Sequence, residues 1–198
     1  IRVRPAPGAI RTALTAAAPG DTLALDAGLF REYSLTVAKP LTIAGARGTV
    51  ITAQGRGAIF LVTADHVTIR GLTLRETGFS YIEDRAAVKI IKSAWARCED
   101  LLIERSMFGV YFSRSRHGIV RRCRIEGNAV TESNSGNGIH SWYGDSLLIE
   151  DNIVHRHRDG VYLEFTRHTL VRGNTSENNL RYGLHFMFSD DDVYEYNR

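Results

Sequence analysis

Four segments of the chain repeat one frame: FGVYFSRSRHGIVRRCRIEGN, NGIHSWYGDSLLIEDNIVHRH, DGVYLEFTRHTLVRGNTSENN and YGLHFMFSDDDVYEYNR. Each opens at a glycine, namely Gly109, Gly138, Gly160 and Gly183, and 14 residues further on stand Cys123, Asn152, Asn174 and Asn197. From Gly138 onward the glycines recur every 22 or 23 residues; the step of 29 from Gly109 to Gly138 carries the polar insertion NAVTESNSG. A period of this size belongs to stacked units, none of which buries its apolar face alone. Short alternating strands with Asn at a fixed bend predict an all-β parallel solenoid, or β-helix. The asparagines of successive coils would form an amide ladder.

Upstream the frame is fainter. LTIAGA (41–46) and VTIRGL (67–72) read as one bend repeated a coil later, but Ser106, the apparent ladder position before Cys123, precedes it by only 17 residues. The coil there is expected to be short. The start of the chain differs in texture: an alanine-rich stretch from Ala9 to Ala18, ended by Pro19 and Gly20, predicts a short helix that caps the first coil. The expected organisation is a single domain over 1–198, with the cap at about 1–20 and coils at about 21–198. Nothing comparable closes the other end, so further coils are expected beyond Arg198.

Composition narrows the function classes. At 198 residues and 43% hydrophobic, the chain can bury one sizeable core, and its 18 glycines suit many tight turns. Its formal charge is +3, and the densest basic stretch, RSRHGIVRRCR (114–124), lacks interleaved aromatics. It reads as arginines on outward strand positions, with no nucleic-acid partner. Cys98 and Cys123 form no disulfide framework, although they could pair. No apolar run is long enough for a membrane span, and IRVRP is no signal peptide; for an exported protein the signal would be absent from this sequence.

Strand alternation assigns the faces. After each repeat glycine the first position (Val110, Ile139, Val161, Leu184) and the third (Phe112, Ser141, Leu163, Phe186) face the core. Two columns then point outward: Tyr111, His140, Tyr162, His185, and Ser113, Trp142, Glu164, Met187. His185 and Met187 therefore share a face at roughly 6.6 Å, with Glu164 one coil away at roughly 4.8 Å and His140 two coils from His185 at roughly 9.6 Å. Imidazole plus thioether is a soft donor pair that suits Cu(I) and not Mg²⁺ or Ca²⁺. His185 and Met187 are the candidate metal ligands, with Glu164 and His140 of second rank. His66, His117, His155, His157 and His168 fall near turns and are expected in solvent. Asp190, Asp191 and Asp192 lack the spacing of a calcium loop and read as a solvated turn.

RDGVYLEF (158–165), NNLRYGLHFMFSDDD (178–192), GNGIHSWYGDSLLIEDN (136–152) and FGVYF (108–112) together resemble the NosD family, the maturation proteins of nitrous-oxide reductase. The opening AAAPGDTLALDAGLFRE is similar to the start of the family's CASH-type right-handed β-helix. The resemblance implies a periplasmic protein with no catalytic role. It would work with the ATPase and permease of an ABC transporter and with a copper-chaperone lipoprotein to supply copper to nitrous-oxide reductase. Family members are longer, so this chain would be roughly their N-terminal half. Two other functions stay open from the residues. One is a carbohydrate-active β-helix enzyme (lyase, hydrolase or epimerase) using Asp159, Glu164 and Arg158. The other is a scaffold docking partners through outward Tyr111, Trp142, Tyr162 and Phe165.

Overall fold

Alternating apolar positions in short β-branched runs give strands of two to six residues, and these stack in parallel on their counterparts one coil later. In this computed structural model, which describes residues 1–198, they form three parallel sheets of nine, seven and seven strands. Each coil visits the first sheet, then the second, then the third. Inward side chains of all three merge into one core of 40 buried residues. The solenoid expected from the repeat is the observed architecture.

Register fixes the length of each coil. Along the first sheet Thr68 pairs with Arg97, Arg97 with Ile119, Ile119 with Leu148 and Leu148 with Leu170. The steps alternate between 29 and 22 residues, as the contacts Ser93–Ala64 (29) and Arg122–Asp100 (22) also show. Each long coil puts its extra residues in one place, the corner between the second and third sheets. The connection at 76–85 precedes the strand Ala86–Ile91, and the one at 128–138 precedes Ile139–Trp142. In the coil between them the same corner is a single residue, Met107.

The amide ladder is present. Asn174 Oδ1 accepts from the backbone N–H of Asn152 at 3.0 Å and from its Nδ2 at 2.9 Å, while Asn197 Oδ1 accepts the equivalent pair from Asn174, both at 3.0 Å. Asn152 Oδ1 extends the ladder to the Cys123 N–H at 3.0 Å. The residue before each rung holds the left-handed bend, even where it is Asp151 or Arg122, a conformation that costs non-glycine residues on the order of 1 kcal/mol. Ser106 is not a rung. Cys98 pairs with Val120, which places Leu101 one coil before Cys123 and Leu72 before that. The ladder column is apolar upstream, the coil has its full 22 residues, and Ser106 lies on the second sheet opposite Gly127 beside a bulge.

The expected cap is the helix α1, Ala9–Ala16. Ile10, Ala13 and Leu14 bury its apolar side over the first coil. Its free N–H groups at Ile10 and Arg11 donate to the Glu32 carboxylate at 2.8 and 3.0 Å, and its last carbonyls accept from Lys39 Nζ, Ala17 O at 2.6 Å. An anion at the first turn and a cation at the last satisfy both the unpaired groups and the helix dipole. Ahead of the helix, Arg2–Val3 already pairs with the first coil, so the cap includes an edge strand. At the opposite end Phe186 stands in the core column of the last coil and is 55% exposed.

Candidate functional site

The outer face of the third sheet carries the predicted columns in the predicted register: Tyr111 beside His140, His140 beside Tyr162, Tyr162 beside His185, and Glu164 beside Met187. The rings follow one another along the axis with centroids 4.5, 4.9 and 4.4 Å apart from Tyr111 to His185: tilted, then edge-to-face, then stacked. Their exposure departs from the prediction. Tyr111, His140 and Tyr162 are all buried, because the connections at 76–85 and 128–138 fold over that part of the sheet. Long-range cover of this kind leaves no trace in strand periodicity.

His140 is consequently no surface ligand. It is 8% exposed, its Nδ1 accepts from Asn137 Nδ2 at 2.8 Å, and its Nε2 is buried without a partner. Burial first, then the charges of Arg158 and Lys89, lowers its pKa to about 3. His157, expected in solvent, is also fully buried, and burial brings it down to about 4. His155 is half-buried, with Nε2 3.7 Å from Glu126. His66 and His117 flank the Trp95 ring, and only His66 and His168 are exposed as expected.

His185 and Met187 lie on the strand Tyr182–Met187, beyond the cover. His185 Nδ1 lies 3.3 Å from Asp159 Oδ2, and its ring stacks at 29° on Tyr162. A carboxylate at Nδ1 keeps the proton there and leaves the Nε2 lone pair free, the arrangement that metal-binding histidines use. Met187 is 36% exposed, and its Sδ accepts from the Tyr162 hydroxyl at 3.2 Å. The donor set fits a soft ion: one free imidazole nitrogen, one thioether and the Glu164 carboxylate in register beside them. No group of three or more His, Cys, Asp or Glu side chains converges on a common point.

Asp159 and Glu164 stand in different surroundings. Asp159 is fully buried among Arg158 at 3.7 Å, Arg181 at 3.6 Å and His185, and accepts from the Tyr182 N–H. Its role is to fix the corner and the His185 ring. Glu164 instead lines a notch of about 430 Å³ between the two covering connections. The walls are 80–84 and 132–135; Met107, Phe108 and His140 form the floor, with Arg158, Tyr162 and Glu164 at the far side. Sequence reading missed the notch, although its signal was there: a one-residue corner between two long ones.

The expected outward aromatic patch is likewise rearranged. With Tyr111 and Tyr162 covered, an aromatic column lies at the next corner, where half-buried Phe165 stacks between exposed Tyr143 and Phe188 at 4.7 and 5.1 Å. Of the basic stretch, Arg121 and Arg122 reach Glu99 and Asp100 at 3.1 and 2.8 Å, on the outside of the first sheet as anticipated. The aspartate turn is partly built in: Asp192 accepts from Thr166 Oγ1 at 2.6 Å and Thr169 N–H at 2.7 Å, while Asp190 and Asp191 are exposed. Cys98 and Cys123 are unpaired and buried. No helix is long and apolar enough to cross a membrane.

Comparison with known proteins agrees with this architecture. The chain is 32% identical over 133 residues to the "Probable ABC transporter binding protein NosD" of Stutzerimonas stutzeri, covering 65% of this chain and 30% of that protein. It is 31% identical over 131 residues to the protein of the same name in Pseudomonas aeruginosa, again 30% of its length. The matched stretch thus spans under a third of each curated relative. Among solved structures, an alginate lyase from Paenibacillus sp. str. FPU-7 superposes with a TM-score of 0.77 at 20% identity, covering 99% of this chain and 75% of that one, a likeness of fold. The family described as "Right handed beta helix region" matches residues 57–197. By its three-sheet stack, its ladder and that match, the chain belongs to the right-handed β-helix family and is NosD-like in sequence.

Proposed function

We propose that this chain is part of a periplasmic accessory protein of nitrous-oxide reductase maturation, acting without catalysis beside an ABC transporter and a copper-chaperone lipoprotein. The observation that carries this reading is the sequence similarity to two relatives named as ABC transporter binding proteins NosD. In it, His185 and Met187 take up Cu(I) transiently through Nε2 and Sδ, with Glu164 adjacent. Asp159 orients the imidazole, and a half-exposed pair of soft donors on a stiff sheet lets the ion be passed on. His140, buried and two coils away, takes no part.

Anaerobic Cu(I) titration against a competing chelator tests it. The expected result is binding by the parent chain, weakened at least about tenfold, roughly 1.4 kcal/mol, in both His185→Ala and Met187→Ala. Three identical curves would make this strand plain surface and the chain a docking scaffold.

A second reading, a carbohydrate-active β-helix, draws on the notch and on the fold shared with an alginate lyase. Against a polyuronate substrate stand four carboxylates and one guanidinium lining that notch. Release of unsaturated or reducing ends from oligosaccharides would support it; no turnover removes it.

A further inference from the structure

The notch contains two groups that the protein itself leaves unanswered. Three of its four carboxylates are neutralised: Glu83 by Arg85 at 3.0 Å, Asp84 by Lys89 at 3.7 Å and Glu132 by Arg181 at 3.9 Å. Glu164 makes no ion pair. It faces the phenol of Tyr162, whose pKa is raised by burial and then by the Glu164 charge; the Tyr111 phenol is raised by burial, then by Asp84, and last by Glu164. The second group is the His140 imidazole. With Nδ1 turned to the fully buried Asn137, Nε2 is left without a partner in a ring that lines the notch, and with Asn137 donating to Nδ1 the ring proton sits on Nε2. A buried N–H without an acceptor costs on the order of 1–3 kcal/mol, so it is a position from which a ligand acceptor gains binding.

A ligand that answers both must bring a cation to Glu164, a hydrogen-bond acceptor to His140 Nε2, and apolar surface for the floor at Met107 and Phe108. An extended polypeptide with a lysine or arginine has all three: the side-chain cation, a backbone carbonyl and aliphatic methylenes. We propose that the notch is a docking site for a basic segment of a partner polypeptide, with a Lys or Arg head group on Glu164 and a main-chain carbonyl on His140. The notch is one coil wide because Met107 alone turns the corner between two long connections, which suits a single extended strand of chain and not a folded surface. The notch meets the His185–Met187 donor pair at Glu164, so its test uses the metal-free chain and does not depend on copper.

The test is a ¹H–¹⁵N NMR titration of the metal-free chain with an acetylated, amidated hexapeptide (Gly-Lys)₃ and its (Gly-Glu)₃ counterpart. The chain carries a net +3, so non-specific attraction favours the acidic peptide. Expected are saturable shifts from the lysine peptide at Phe108, His140 and Glu164, with affinity falling about tenfold in Glu164→Gln and falling as salt is raised. Equal response to both peptides, shifts elsewhere on the surface, an unchanged Glu164→Gln curve, or no saturation up to about 5 mM would each overturn the proposal. Glu164→Gln sits at a half-exposed position and leaves the core intact, so its spectrum also reports that the fold is unaltered.

Discussion

The hydroxyl of Tyr162 donates to the sulfur of Met187 across 3.2 Å, joining the covered part of the third sheet to its open end. A thioether that accepts this bond has one lone pair engaged. Tyr162→Phe is therefore expected to tighten Cu(I) binding about threefold, roughly 0.7 kcal/mol, with little change in stability, because sulfur is a weak acceptor. The competition titration that measures His185→Ala measures this too, and weaker binding would show that the phenol helps the site.

The ladder predicts a larger effect on folding. Asn174 Oδ1 accepts two bonds from Asn152, and its Nδ2 donates to Ile149 O at 2.9 Å and Asn197 Oδ1 at 3.0 Å. Asn174→Ala strands the buried Asn152 N–H and should cost about 2–3 kcal/mol. Asn174→Asp restores the acceptor but not the donor and should lie between. Urea unfolding followed by circular dichroism gives both values.

Stability should fall in mild acid. The unfolded chain protonates His140 and His157 as pH drops below about 6.5, while burial keeps both neutral in the folded state down to about 3 and about 4. The unfolded state therefore binds more protons in that window, and stability, complete above it, is lost as pH falls. Each ring contributes a slope of about 1.4 kcal/mol per pH unit. His157→Gln should remove one of the two slopes between about pH 6 and 4.5, read from urea midpoints at a series of pH values.

The glycine column is steric. A Cβ on Gly138 would lie 2.7 Å from the Gly160 carbonyl oxygen and closer still to the Val154 side chain. Gly138→Ala is expected to destabilise by about 2 kcal/mol or more. Gly48→Ala in the first coils, whose Cβ would meet only Ala27 at 3.8 Å, pays just for its left-handed backbone, about 1 kcal/mol. Thermal melts of the two variants should rank in that order.

What could be read from the sequence followed from repetition. Gly138, Gly160 and Gly183 with Asn152, Asn174 and Asn197 fix coil length, register and the inward and outward faces, and Glu164 beside Met187 follows directly. Register failed at Ser106 because the ladder column changes chemistry at Cys123: Leu101 and Leu72 fill the bend with apolar bulk where the later coils use amides. Burial of His140 and His157 was hidden for a different reason. The connections around them are not periodic, and a strand pattern reports only which way a side chain points.

The one-residue corner set between two long ones separates two properties that most folds couple. The 40-residue core is built by the strands and corners of the stacked coils and by the capping helix, whereas the walls of the notch come from 80–84 and 132–135, which contribute no residue to it. Lengthening the Met107 corner by a few residues would close the opening, and exchanging the sequence of 80–84 or 132–135 would retune what enters it, with the hydrophobic interior unchanged. Recognition can thus drift among relatives while the stack that displays it stays the same.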